Sequence, residues 1–84
     1  MRFFVEVSLK EAPTPEVLEL LPVEVEHGKM FDESGVREAL YVSAEAVKAW
    51  QIYRAESREE VERIVASFPL TRFCDVTISE LRAE

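Results

Sequence analysis

Three observations predict that this chain folds as a small α+β domain. Apolar residues make up 48% of its 84 residues, which is enough to form one core. Both ends of the chain show the period-two alternation of β-strands, and the segment after Ala55 shows the 3.6-residue period of an amphipathic helix. Because this length falls in the range of one structural unit, residues 1–84 are expected to form a single domain.

The first half of the chain predicts a strand followed by a helix. Alternate residues of Arg2–Leu9 are apolar, as in a strand with one buried face. Thr14 is a suitable N-cap for the helix that follows, and Pro22 should kink or restart that helix. The helix is expected to continue through residues 23–34, and Gly35 supplies its stop.

The second half predicts a hairpin, a helix and a strand. Residues 36–44 and 46–55 are the expected hairpin strands, the second rich in aromatic and β-branched residues. Ser57 and Glu60 have the spacing of a capping box at the start of the second helix. The apolar positions of that helix are expected in the core: Val61, Ile64, Val65 and Phe68. Residues 72–81 alternate again and predict the last strand.

The element order β-α-β-β-α-β is that of a ferredoxin-like fold with a four-stranded antiparallel sheet. Right-handed crossovers give the strand order 4-1-3-2, with both helices on one face. Trp50 and Ile52 are expected to pack under the helices. The open face should hold the residues of opposite parity: Phe4, Glu6, Ser8, Tyr41, Ser43, Gln51, Tyr53, Phe73, Asp75 and Thr77. A half-apolar exposed surface of this kind indicates a partner or a ligand.

The composition argues against several classes of function. A net charge of −7 opposes binding to nucleic acid or to an anionic membrane. The single Cys excludes an intramolecular disulfide and a multi-thiolate metal site, and two Gly exclude the glycine-rich phosphate loops. The sequence shows no signal peptide and no long apolar run. A lone thiol fits a reducing compartment, so a cytoplasmic location is expected.

Glu6 and Asp75 are the strongest candidates for proton transfer. The strand order makes the first and last strands neighbours, and parity places both carboxyl groups on the open face. Two carboxyl groups close together in a partly dry cavity would split their pKa values. Asp75 is the expected base, because the centre of a closed barrel would desolvate it, and Glu6 is the expected second proton carrier. The alternative is that both acids are solvated or form ion pairs with Arg2 or Arg72.

Tyr41, Gln51 and Tyr53 are expected to line the same pocket, and the tyrosines would orient a carbonyl by hydrogen bonds. His27 would reach the pocket from the first helix. The alternative for His27 is a partly buried side chain on the helix seam. Cys74 has core parity and is expected to pack rather than to react.

Several short motifs resemble the muconolactone Δ-isomerase family of the dimeric α+β barrel superfamily. They are Gly35 before the hairpin, Leu40-Tyr41, Trp50-Gln51-Ile52-Tyr53, Ala55-Glu56-Ser57, Phe68-Pro69-Leu70 and Phe73-Cys74-Asp75-Val76. The resemblance implies a cofactor-free enzyme that moves a double bond in a small lactone acid by taking and returning a proton. It also implies homodimers, which assemble further into rings.

The resemblance leaves two alternatives open. Glu6 and Val42 stand at positions where the family carries basic residues that could hold the carboxylate of the lactone. An acidic lining would repel such an anion. A non-catalytic ligand-binding or assembly module on the same barrel is therefore the alternative function. Pockets of the superfamily can also lie between sheet and helices, which would favour His27, Trp50 and Met30.

Overall fold

A four-stranded antiparallel sheet carries two helices on one face in residues 1–83, which the computed structural model describes. The elements are β1 (Arg2–Leu9), α1 (Pro15–Glu33), β2 (Arg37–Val42), β3 (Lys48–Arg54), α2 (Arg58–Ala66) and β4 (Cys74–Leu81). The sheet order is β2-β3-β1-β4, so the predicted ferredoxin-like fold and strand order are confirmed.

Helix α1 is continuous through Pro22, although a restart was among the expectations. The Thr14 hydroxyl oxygen accepts a hydrogen bond from the Val17 backbone N–H at 3.3 Å, which satisfies one free donor of the first turn. Gly35 has a φ of +81°, the left-handed conformation that ends helices at little cost for glycine. No helix among residues 1–83 has the length and apolar character needed to cross a membrane.

The core lies between the sheet and α2. Phe3 and Val5 of β1 and Val61 of α2 are fully buried, and Val65 is nearly so. Phe68 is also buried, whereas Ile64 is half-buried, so the predicted inner face of α2 is largely confirmed. A turn of 3-10 helix at Thr71–Phe73 precedes β4. The expectation that Phe73 extends the open face of the last strand was therefore wrong.

The predicted orientation of β3 was also wrong. Tyr53 is paired with Phe3 and Gln51 with Val5, and residues opposite each other in a sheet share a face. Gln51 and Tyr53 therefore lie on the helix-covered face, where both are buried. Trp50 lies on the open face instead, opposite Glu6 in β1.

The open face is consequently more apolar than predicted. Phe4 is paired with Ile52, and Trp50 lies between Glu6 on one side and Tyr41 on the other. These aromatic and aliphatic side chains form a continuous band across β2, β3 and β1. We call this band the open-face patch, defined by Phe4, Tyr41, Trp50 and Ile52.

Candidate functional site

A buried guanidinium occupies the helix-covered face of the sheet. Arg37 is the first residue of β2 and is paired with Tyr53, so its side chain points toward α1. Its Nε and Nη2 donate to the two carboxylate oxygens of Asp32 at 2.6 and 2.9 Å, and its Nη1 donates to Gln51 Oε1 at 3.2 Å. The hydroxyl of Tyr53 donates to the same oxygen of Gln51. The bidentate contact between Arg37 and Asp32 fixes both the position and the plane of the guanidinium.

Gly28 makes the close approach of Arg37 to α1 possible. A Cβ atom built on Gly28 would lie 2.4 Å from Nη2 of Arg37, closer than atoms can approach. On another side the guanidinium carbon lies 5.7 Å from the centre of the Phe68 ring, within the range of a cation–π contact. The guanidinium is thus held in a slot between a helix backbone and an aromatic ring, and 8% of the Arg37 side chain is exposed.

These contacts fix the charge states of Asp32, Arg37 and Tyr53 at neutral pH. The hydrogen bonds from Arg37 hold the pKa of Asp32 below its ordinary value, and the Asp32 carboxylate raises the pKa of Arg37. Burial raises the pKa of Tyr53 to about 12. Asp32 and Arg37 therefore form an ion pair, and Tyr53 is a neutral hydrogen-bond donor.

Glu24 brings a second carboxyl group into this region from the middle of α1. Its Oε1 accepts a hydrogen bond from the Leu70 backbone N–H at 3.0 Å. Burial raises the pKa of Glu24, and this effect exceeds the opposing effects of the Leu70 hydrogen bond and of the nearby His27 and Arg37. A carboxyl group that retains its proton to a higher pH than usual is suited to general acid–base work.

His27 lies one turn beyond Glu24 on the same side of α1. Its Nε2 is 2.8 Å from the Ser67 hydroxyl oxygen, and that hydroxyl donates its own hydrogen to the Ile64 carbonyl. The Ser67 oxygen must therefore accept, so this network assigns the ring proton to Nε2 and leaves Nδ1 as an acceptor. The ring also makes edge contacts with Phe31 and Phe68.

A surface groove of about 550 Å³ lies along the loop that follows α2. It is lined by Leu20, Ala66, Ser67, Phe68, Pro69, Thr71 and Arg72. Ser67 is the hydrogen-bond partner of His27, and Leu70, whose N–H binds Glu24, belongs to the same loop. Glu24 and His27 therefore both hydrogen-bond to the loop that forms one wall of the groove. We call Glu24, His27, Asp32, Arg37, Gln51 and Tyr53 the inter-layer cluster.

The six residues predicted for the site are divided between the two faces of the sheet. Gln51, Tyr53 and His27 belong to the inter-layer cluster. Glu6 and Asp75 lie on the open face, as predicted, and belong to neighbouring strands, where Thr77 is paired with Glu6 and Ser8 with Asp75. The expectation that one face carries all five strand residues was therefore wrong.

The open-face candidates lie in wetter surroundings. Glu6 forms an ion pair with Lys48 at 3.3 Å, rather than with Arg2 or Arg72. Asp75 is exposed, and Tyr41, next to Trp50, is 66% exposed. Met30 is exposed as well, so neither it nor Trp50 lines the space between sheet and helices.

Three members of the inter-layer cluster were missed from the sequence: Glu24, Asp32 and Arg37. Asp32 and Arg37 are five residues apart on opposite sides of the Gly35 turn, a spacing that allows a contact across it. Glu24 precedes His27 by three residues, which places both on one side of a helix. Within residues 1–83, no group of three His, Cys, Asp or Glu side chains converges as a metal ion would require.

The fold and this site define a ferredoxin-like α+β domain with a polar, hydrogen-bonded cluster between sheet and helices. The family model described as muconolactone delta-isomerase matches residues 1–83. The chain therefore belongs to the muconolactone delta-isomerase family.

Two solved structures share the fold over the full length of this chain. A muconolactone isomerase superimposes with a TM-score of 0.84 at 19% identity, and 91% of that chain is covered. The dehydrochlorinase of Burkholderia phenoliruptrix AC1100 that acts on 5-chloro-2-hydroxyhydroquinone, in complex with 2,5-dihydroxybenzoquinone, gives 0.83 at 11% identity with 96% covered. In sequence, no curated protein matches this chain significantly.

Proposed function

We propose that the protein is a cofactor-free isomerase that moves a proton within a small cyclic carbonyl compound of the lactone type. The observation that carries this proposal is the half-buried Glu24, whose pKa is raised by burial and which, like His27, hydrogen-bonds to the loop that lines the groove. Membership of the muconolactone delta-isomerase family supports a catalytic function. The reaction needs a base that can also return its proton, which a carboxyl group with a raised pKa provides.

The reaction conserves atoms and electrons. The Glu24 carboxylate removes a proton from the carbon next to the carbonyl, and the electron pair of the broken C–H bond passes into an enolate. The Glu24 carboxyl then returns the proton to another carbon of the conjugated system, with Nδ1 of His27 as the second carrier. The Arg37 charge, paired with Asp32, does not contact the substrate; it favours the carboxylate form of Glu24, which removes the proton.

The open-face acids define a second location for the same chemistry. Here Asp75 is the base, Glu6 the second carrier, and Tyr41 orients the carbonyl. Their position on one face of adjacent strands supports this arrangement. It requires a second sheet to cover them, because the open face leaves Asp75 exposed.

We also propose that the protein forms a homodimer in the cytoplasm, as a unit of a larger ring, by pairing open faces into a closed barrel. The open-face patch supports this contact, because an exposed aromatic band favours burial against a second copy.

Sedimentation velocity should show a dimer that Trp50→Glu converts to monomer. The same change at Val23, an exposed apolar residue of α1, should leave the dimer intact. A wild-type monomer at all concentrations would contradict the proposal.

A non-catalytic binding or assembly module is the second candidate function. Within residues 1–83, every buried side-chain nitrogen or oxygen has a hydrogen-bond partner. A polar network that satisfies itself stabilises one arrangement of the two layers and does not need a ligand for that role.

Proton exchange distinguishes these candidates. The protein is incubated with neutral lactones and cyclic enones in deuterium oxide, and incorporation of deuterium is followed by NMR. We expect Glu24→Gln to reduce the exchange rate about 100-fold or more, and Asp75→Asn to leave it within about twofold. Both substitutions are nearly isosteric, so each controls for the other.

The opposite pattern would place the chemistry on the open face. Ligand binding without exchange would favour the binding module. A thermal shift detects such binding, because ligand at a hundred times its Kd stabilises the folded protein by about 2.7 kcal/mol.

A further inference from the structure

We infer that the groove selects an uncharged ring that carries a hydroxyl group, and that it rejects carboxylated rings. This inference rests on the proposed function for the location of the site. It concerns the class of substrate, and it follows from how the basic and hydroxyl side chains near the groove are already engaged.

The buried cation of the cluster is not available to an anionic ligand. Both carboxylate oxygens of Asp32 accept hydrogen bonds from Arg37, and Gln51 Oε1 accepts one from Nη1 of Arg37. Only 8% of the Arg37 side chain is exposed. A ligand carboxylate would have to displace Asp32. Because α1 already holds Asp32 in position, its contact with Arg37 costs less conformational entropy than that of a free ligand.

The basic residue on the rim of the groove is engaged as well. Nη2 of Arg72 is 3.2 Å from a carboxylate oxygen of Glu16, and its guanidinium carbon lies 4.7 Å from the centre of the Phe73 ring. The Glu16 carboxylate balances the charge of Arg72 locally. The net charge of −7 adds a general repulsion of anions.

The hydroxyl groups of the groove offer acceptors rather than donors. Thr71 donates its hydroxyl hydrogen to the Val65 carbonyl, and Ser67 donates its own to the Ile64 carbonyl. The Ser67 oxygen already accepts from His27, which leaves lone pairs of the Thr71 oxygen for a ligand. A lone pair binds a ligand O–H and repels a carboxylate, while Leu20 and Pro69 supply apolar wall for the ring.

Three lactones on one ring test this selectivity: γ-butyrolactone, α-hydroxy-γ-butyrolactone and γ-carboxy-γ-butyrolactone. Their affinities for the wild-type protein are measured by NMR titration at pH 8. The hydroxylated probe should bind tightest and the carboxylated probe about tenfold or more weaker than the unsubstituted one, because like charges disfavour the contact. Thr71→Val should abolish the preference for the hydroxyl group.

Two further variants change the charge without changing the groove walls. Asp32→Asn releases the charge of Arg37, and Glu16→Gln releases that of Arg72 at an exposed position where folding is not at risk. Asp32→Asn should improve binding of the carboxylated probe about tenfold relative to the neutral ones, and Glu16→Gln about two- to fivefold because its pair with Arg72 is exposed. No improvement in either variant would overturn the assignment.

The outcomes separate this inference from the proposed function. If the carboxylated probe binds tightest and exchanges deuterium in a Glu24-dependent manner, the isomerase proposal holds and the inference of an uncharged substrate is wrong. If none of the three lactones binds or exchanges, the proposed function fails and the inference fails with it.

Discussion

The two faces of the sheet use polar residues in different ways. On the helix-covered face, Asp32, Arg37, Gln51 and Tyr53 are joined in one hydrogen-bonded chain with a buried guanidinium at its centre. On the open face, charged side chains form separate pairs in contact with water, such as Glu6 with Lys48. A buried network depends on each member because a lost partner leaves a charge unpaired, whereas solvent replaces a partner lost from a surface pair.

Phe3 and Phe4 provide the sharpest test of this difference, because these neighbours point to opposite faces. Phe3 is fully buried in the core, and Phe3→Ala should lower the free energy of unfolding by about 3–5 kcal/mol. Phe4 is half-buried on the open face, so Phe4→Ala should cost less than half as much. Urea unfolding at two protein concentrations measures both changes. In a dimer paired through the open-face patch, the Phe4→Ala cost becomes concentration-dependent; equal costs at high dilution would contradict the assignment of faces.

Arg37 and Arg54 test the polar networks in the same way. Arg37→Met removes the centre of the inter-layer cluster and should cost about 3 kcal/mol, the lower end of the range for buried pairs because Asp32 is half-exposed. Arg54 is exposed in its pair with Glu38, so Arg54→Met should lower the free energy of unfolding by less than about 1 kcal/mol.

The comparison is again made by urea unfolding, and adding Asp32→Leu to Arg37→Met should recover part of the loss. Similar costs at Arg37 and Arg54 would show that burial does not distinguish the two networks.

The sequence predicted those parts of the fold that local patterns determine. The alternation in β1 and β4 placed Phe3, Val5 and Ile78 on the correct face, and the spacing in α2 identified its inner side. The same reasoning failed for β3, because Trp50 and Ile52 are more apolar than Gln51 and Tyr53. Apolarity would bury the first two residues, whereas the actual register buries the latter two.

The orientation of β3 and the missed site residues have one physical cause. Burying Tyr53 and Gln51 is favourable only because both bond within the chain that includes Arg37, and Arg37 is buried only because Asp32 and Gly28 receive it. These are contacts between elements, which no periodicity within one element reveals. His27, by contrast, could be placed on the helix seam from the phase of α1, and it does lie there between Phe31 and Phe68.

The smallest expected effect concerns the two acids of the inter-layer cluster, whose pKa values are shifted in opposite directions. Burial raises the pKa of Glu24 above its ordinary 4.5, so its stabilising contribution is complete below about pH 4.5 and is lost as pH rises through the folded value. The pKa of Asp32 is lowered from 3.8, so its contribution is present above that pH and is lost as pH falls through the folded value.

Opposite shifts predict opposite effects of pH on two neutralising substitutions. Glu24→Gln should raise Tm at pH 8, because it removes a charge that burial disfavours, and this advantage should vanish at pH 4. Asp32→Asn should lower Tm at pH 8, and its cost should shrink toward pH 3. Glu19→Gln, at an exposed position of the same helix, controls for the general effect of removing one negative charge from an acidic protein. Thermal unfolding across this range measures all three variants. A Glu24→Gln curve that follows the Asp32→Asn curve would show that the Leu70 hydrogen bond and the Arg37 charge, rather than burial, control the Glu24 carboxyl group.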